Sequence, residues 1–266
     1  MTAGHGPVVA IALHDGHDVR ADVAADFAVT EADRRREEDP FTAHWTVVGD
    51  TRIEVRRSRF EFDLNRPREK TVYLKPEDAW GLNVWQKRPS PKIIARSLAE
   101  YDAFYTTIAQ IFADLERRCD RFVVFDLHTY NHRRLGPQSL PADTRDNPEV
   151  NLGTDTMNRH WAPVAERFIT DLRDFDFLGR RLDVRENVRF RGGYFSHWVN
   201  QTFPNSACVL SIEVKKFFMD EWSNEVNHQQ LNAILGALQY TVPGVLETLQ
   251  QVKVDSQSLL GINTYN

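Results

Sequence analysis

Cysteine is almost missing from this chain: Cys119 and Cys208 are the only two among 266 residues, and they lie in unrelated contexts. Neither a disulfide framework nor a thiolate zinc cluster can be built from them, and a reducing cytoplasm fits. Long apolar runs are lacking too. Val8 to Leu13 is too short for a membrane span or signal core and follows no basic segment, so no membrane partner is expected. Positive charge is not in excess. Lys and Arg number 33 against 38 Asp and Glu, a net charge of −5, which leaves no basic stripe for nucleic acid. With no low-complexity linker and no internal repeat, residues 1–266 are expected to form one domain.

What is present is a core and an α/β pattern. Apolar residues make up 41%, including sixteen phenylalanines. Pro7 to Leu13 is a continuous apolar run closed by Asp15-Gly16, which predicts a strand buried on both faces, as in parallel sheets. Thr46–Val48, Gly49-Asp50 and Ile53–Val55 read as a hairpin, and Ser58–Leu64 alternates like a further strand. The charged run 31–40, ended by Pro40, reads as a solvated helix or loop. Between Pro91 and Arg118, apolar residues recur every three or four positions, predicting an amphipathic helix that feeds a strand over 121–127. A second helical spacing runs from Trp161 to Leu172. Cys208–Val214 reads as a buried strand, and Leu231–Leu238 as a helix interrupted at Pro243. The fold class expected is α/β, with a mixed, largely parallel central sheet flanked by helices.

Open α/β sheets carry their chemistry at the carboxyl ends of strands. One strand here ends in His14 with His17 in the following turn, and another delivers Asp126 and His128. Imidazole is the commonest zinc ligand, and a catalytic zinc keeps three protein ligands, so His14, His17 and His128 are candidate ligands. Asp126 shares a strand face with His128 and either orients its ring or bonds backbone. Glu213, inside Val-Leu-Ser-Ile-Glu-Val, requires compensation. It is either paired with Lys215 or placed as a general base. Asn65 and Arg66 combine an amide with a guanidinium fork suited to a carboxylate, or else form an ordinary turn. His132 in the loop after His128, and the edge Arg189, Arg191, Gly192, Gly193 and Tyr194, are candidate substrate contacts.

In chain order, Leu13-His14-Asp15-Gly16, Ser58 through Arg66, Asp126-Leu127-His128, Gly192-Gly193-Tyr194 and Ile212-Glu213 resemble the N-formylglutamate amidohydrolase family. That family is similar in fold to the zinc carboxypeptidases, aspartoacylase and succinylglutamate desuccinylase, of phosphorylase/hydrolase-like architecture. The likeness spans roughly residues 8–220. It implies one Zn2+ per chain and hydrolysis of an amide beside a free carboxylate. By the same resemblance, His14 and His128 hold zinc, Glu213 is the base, Arg59 steadies an oxyanion, and Asn65 and Arg66 clamp the substrate. The pattern departs at the remaining ligand: His17 stands where the carboxypeptidases have a glutamate. His17 is the expected third ligand, with a carboxylate of Glu37-Glu38-Asp39, Glu38 foremost, as the alternative. The expected substrate is a small anionic N-acyl amino acid such as N-formylglutamate. The rival readings are a metallocarboxypeptidase and a catalytically silent anion-binding relative. The oligomeric state is not legible.

Overall fold

The computed structural model describes residues 1–253; positions 254–266 of the expected domain lie outside them. Six strands form one sheet: β1 (Val8–Ala12), β2 (Thr51–Glu54), β3 (Phe122–Tyr130), β4 (Val150–Gly153), β5 (Val184–Glu186) and β6 (Ala207–Lys215). Their spatial order is β2-β1-β3-β6-β4-β5. β2, β1, β3 and β6 run parallel, β4 is antiparallel to β6, and β5 is parallel to β4. The expected mixed, largely parallel sheet is therefore observed. The helices are α1 (Ala21–Ala24), α2 (Glu31–Glu37), α3 (Thr42–Trp45), α4 (Pro91–Cys119), α5 (Ala162–Asp174), α6 (Tyr194–Thr202) and α7 (His228–Gln251).

Alternation along the strands divides the core in two. Val9 and Ile11 of β1, with Phe122 and Val124 of β3, pack against Tyr105, Ile108, Phe112 and Leu115 of α4 and Phe195 and Val199 of α6. Val8 and Ala10, with Val123, Phe125 and Leu127, face the opposite way onto α5 and α7, through residues such as Phe168, Leu172, Ile234 and Leu238. Both faces of the central strands are thus covered by helices, which is why these strands are runs of apolar residues rather than alternations. α4 follows the spacing read from the sequence, with Ser90 capping it by accepting from the Ile93 N–H and Pro91 in its first turn.

Four local expectations are corrected. Residues 46–55 are not a hairpin: Thr46–Val48 is a 3-10 turn continuing from α3, and the strand that follows pairs in parallel with β1. Ser58–Leu64 is not a strand, although Phe60, Phe62 and Leu64 are buried as alternation demands. Its intervening Glu61 and Asp63 are buried too, so no polar face exists, and local turns such as Glu61 N–H to Ser58 O replace ladder bonds. α7 does not stop at Pro243 but runs through it to Gln251. Burial of Ala237, Leu238, Thr241, Gly244, Val245 and Leu249 on one face offsets the lost backbone bond. Gly244 lets the helix approach α5 at Arg167 and Asp171, where a Cβ would collide. Finally, the end of the 31–40 run is not solvated: Glu37, Glu38 and Asp39 are all buried.

Candidate active site

β1 has its sequence neighbour β2 on one side and β3 on the other, so the connections diverge at its carboxyl end and open a crevice there. His14 follows β1, and His128 lies near the end of β3; their ring centroids are 5.0 Å apart and both side chains are buried. Between them comes Asp39, carried by the extended segment that leaves α2. Its backbone N–H donates to His14 O at 2.9 Å, which fixes the segment against the end of β1. Asp39 Oδ2 lies 3.2 Å from His14 Nδ1 and 3.1 Å from His128 Nδ1, while the Thr129 hydroxyl donates to Oδ1 at 3.0 Å. The ligand atoms of these three residues all lie within 4.8 Å of one another.

The far nitrogens of both rings are also held. His14 Nε2 is 2.8 Å from Asp63 Oδ1, and His128 Nε2 is 2.9 Å from Asp126 Oδ1. Asp126 thus meets His128 as strand alternation suggested. Asp63 is fully buried and accepts in addition from Arg59 at 2.8 Å, from the Asn65 backbone N–H at 2.7 Å and from the Tyr73 hydroxyl. Two imidazoles, each aimed at a shared carboxylate and each braced from behind by another, suit a divalent ion such as zinc.

Burial would raise the Asp39 carboxyl, but hydrogen bonds and charge from His128 and His14 hold it well below its usual range. Burial likewise opposes protonation of His128, yet Asp126 and Asp39 raise it well above the ordinary imidazole value. Asp63 is held well below the usual carboxylate range because Arg59 and His14 outweigh its burial. Glu213 faces His128 in the parallel register of β3 and β6. Burial pushes its carboxyl up to about 8, with His128 pulling down and Asp39 and Asp126 adding to the rise.

His14, Asp39, His128 and Glu213 line one cavity of about 730 Å³, together with Arg59, Asn65, Arg66, Arg191, Tyr194 and Lys216. Arg59 stacks on Trp80, its guanidinium carbon 4.7 Å from the ring centroid. Asn65 Oδ1 accepts the Phe195 backbone N–H at the start of α6, and a Cβ on Gly193 would collide with that amide. The glycine pair is therefore a close-approach device that ties the Asn65-Arg66 loop to α6. Arg66 is half-exposed, its Nε 3.9 Å from Asp63. Arg191 is exposed and paired with Asp155 at 2.8 Å.

Three candidates stand elsewhere. His17 is outside the cluster: its Nδ1 faces Glu38 and its Nε2 Arg34. Glu38, the alternative, is outside it as well, accepting from Ser58 and lying 3.6 Å from Arg34. The third group of the cluster is their neighbour Asp39. His132 does not line the cavity, and its Nδ1 lies 3.3 Å from Glu221. Lys215, a possible partner for Glu213, instead donates to Asn147 O at 2.9 Å. Reasoning from sequence held Asp39 only as one of the alternative carboxylates behind His17 and Glu38, and missed the roles of Asp63 and Lys216. A signal existed for Asp39, since three acidic residues at a helix C-terminus oppose the macrodipole and call for some other partner. That partner is in part Lys216, buried beside them and donating to the backbone oxygens of Arg36 and Glu38 at 2.6 and 2.7 Å.

The family model of the N-formylglutamate amidohydrolases matches residues 6–218, most of the chain and all of the residues just described except Glu221. The chain belongs to the N-formylglutamate amidohydrolase family. Among solved structures it is similar to the N-formylglutamate amidohydrolase of Ralstonia eutropha, at 15% identity and a TM-score of 0.72, over 94% of this chain and 97% of that one. It is also similar to a gene product of Agrobacterium tumefaciens, at 15% identity and a TM-score of 0.62, over 93% of each chain. At such identities these two likenesses speak for the fold. No curated protein sequence matches. Membership makes the protein an amidohydrolase, and no helix among its described residues is long and apolar enough to cross a membrane.

Proposed function

We propose that this amidohydrolase hydrolyses the amide bond of an N-acyl amino acid, with N-formylglutamate as the lead candidate, and that it does so with one zinc held by His14, Asp39 and His128. The observation that carries the reading is the convergence of His14 Nδ1, His128 Nδ1 and Asp39 Oδ2, with Asp63 and Asp126 behind the two rings. Zinc bound there supplies Lewis acidity toward water and the amide carbonyl. Asp63 and Asp126 fix which ring nitrogen points inward, because each Nε2–H donates to its carboxylate. Glu213 takes the proton of the attacking water and returns it to the departing amine. Arg66 receives the substrate carboxylate in a two-point fork, and the free side of the Asn65 amide adds to the same anion. Arg59, held by Asp63 and stacked on Trp80, faces the carbonyl oxygen as charge builds there. Arg191 and Tyr194 complete the rim on the carboxylate side.

The soluble anionic substrate and the two free cysteines, Cys119 and Cys208, suit a cytoplasmic enzyme. The deciding experiment measures the metal content of protein purified without chelator, followed by hydrolysis of N-formyl, N-acetyl and N-succinyl amino acids and of dipeptides. Bound zinc with chelator-sensitive hydrolysis of one N-acyl class is expected. Hydrolysis undiminished in rigorously metal-free protein would remove the metal from the reading.

A further inference from the structure

The cavity is larger than the lead substrate needs. Its volume of about 730 Å³ equals the share of about 24 waters at ~30 Å³ each, whereas an N-formyl amino acid has roughly a dozen heavy atoms. Besides the groups given roles in the reaction, the lining includes a wall of Asn131, Arg134, Glu37 and Trp80.

Asn131 stands out in that wall. It is 3% exposed, and its Oδ1 is buried without a hydrogen-bond partner among the described residues. Its neighbours are largely engaged, the His132 Nδ1 lying unbonded 3.3 Å from Glu221. Thr129 donates to Asp39, the Tyr130 hydroxyl donates to Pro148 O, and the backbone N–H groups of His132 and Arg133 donate to Glu221. A buried amide left unpaired is costly, whereas the same amide facing a ligand gains a bond on binding.

The surroundings say which ligand. Arg134 is already engaged by both oxygens of Glu37, at 3.3 and 3.2 Å, so this wall presents no spare positive charge for a second carboxylate. Trp80, 41% exposed, adds an aromatic face. A side-chain amide offers one donor group and one acceptor, the complement of a peptide unit. Thr129 touches the Asp39 carboxylate, and Asn131 lies two residues farther along, about 6–7 Å at the rise of an extended chain. The next amide upstream of the scissile bond lies one residue's rise, about 3.3–3.6 Å, beyond it, and a hydrogen bond of about 3 Å makes up the rest of that span.

We propose that this wall is an acyl-side subsite for a peptidic acyl group, in which Asn131 bonds the amide one residue upstream of the bond that is cut. The substrate class is then a short peptide or N-acylated dipeptide ending in a free carboxylate. The inference rests on the amidohydrolase reading and extends it from the leaving amino acid to the acyl group.

The test uses the zinc-loaded enzyme and three substrates sharing one leaving amino acid: N-formylglutamate, N-butanoylglutamate and N-acetyl-alanyl-glutamate. Butanoyl extends the acyl chain but lacks the upstream amide, so the wild-type comparison isolates that amide without any mutation. A kcat/KM about tenfold or more higher on the acetylated dipeptide than on either of the others is expected, one hydrogen bond's worth. Asn131→Ala should erase that preference, mainly through KM, while leaving N-formylglutamate within about twofold. The proposal is overturned if wild type prefers the formyl or butanoyl substrate, or if Asn131→Ala slows all three alike. Should none of the three be hydrolysed, the amidohydrolase reading falls and takes this subsite with it, a result distinct from hydrolysis of N-formylglutamate alone.

Discussion

Filling the site with zinc should expel protons, and the number follows from the geometry. In the metal-free protein both nitrogens of His128 face carboxylate oxygens, Asp39 at 3.1 Å and Asp126 at 2.9 Å. Between those two acceptors His128 can donate from both sides, in keeping with its pKa well above the usual value. To offer Nδ1 to a cation the ring must lose that proton. Glu213, at about 8, is about nine-tenths protonated at pH 7, and a dication beside it favours the charged form. Binding at pH 7 should therefore release between about one and two protons, and apparent affinity should rise about tenfold per proton for each pH unit. The sign for stability is opposite. His128 stabilises the metal-free fold below its unfolded value near ~6.5, and that contribution is lost as pH rises through the folded value. Titration calorimetry in buffers of different ionisation enthalpy counts the protons directly. Release below about half a proton, with affinity flat between pH 6 and 8, would refute a protonated His128–Glu213 pair at the ion site.

Substitutions divide the remaining roles. Asp39→Asn should lose zinc while His17→Gln retains it, measured as metal content after dialysis; the reverse ranking would return His17 to the ligand set. Asp126→Asn should weaken zinc binding by about 10–100-fold with only a moderate loss of stability, since His128 keeps Asp39 and can shed its proton. Asp63→Asn should weaken it similarly but also destabilise the fold by about 3–5 kcal/mol, because it strands the largely buried Arg59; chemical denaturation distinguishes the two. Glu213→Gln should bind zinc and substrate yet lose ~10²–10⁴ in kcat, and near-normal turnover in a zinc-loaded variant would take Glu213 out of the mechanism. Arg66→Lys should cost about one to two decades in kcat/KM on substrates with a free carboxylate, and an equal proportional loss on amidated substrates would show that the arginine acts structurally.

The sequence alone determined the parts of this protein that depend on local pattern. Predominantly apolar, β-branched runs at Val8–Leu13, 121–127 and Cys208–Val214 read as strands covered on both sides, and the three-and-four spacing from Pro91 as a long helix burying one face. With those elements fixed, His14, His128 and Glu213 had to arrive at the same edge, since parallel strands deliver their carboxyl ends together. Tertiary structure decided whatever joins segments remote in the chain. Thr46–Val48 became a helical turn rather than a hairpin arm because the chain crosses to a strand parallel to β1. α7 passes through Pro243 because its apolar face has α5 to pack on, a contact no local rule contains. Asp39 rather than His17 stands between the two imidazoles because Lys216, 177 positions later in the chain, and the backbone of His14 anchor the segment after α2. His17, nearer in sequence, is held by Glu38 and Arg34. Spacing along the chain carries which residue types can serve a site, whereas the choice among Glu37, Glu38 and Asp39 is a matter of direction in space, set by burial and by partners that lie far off in the sequence.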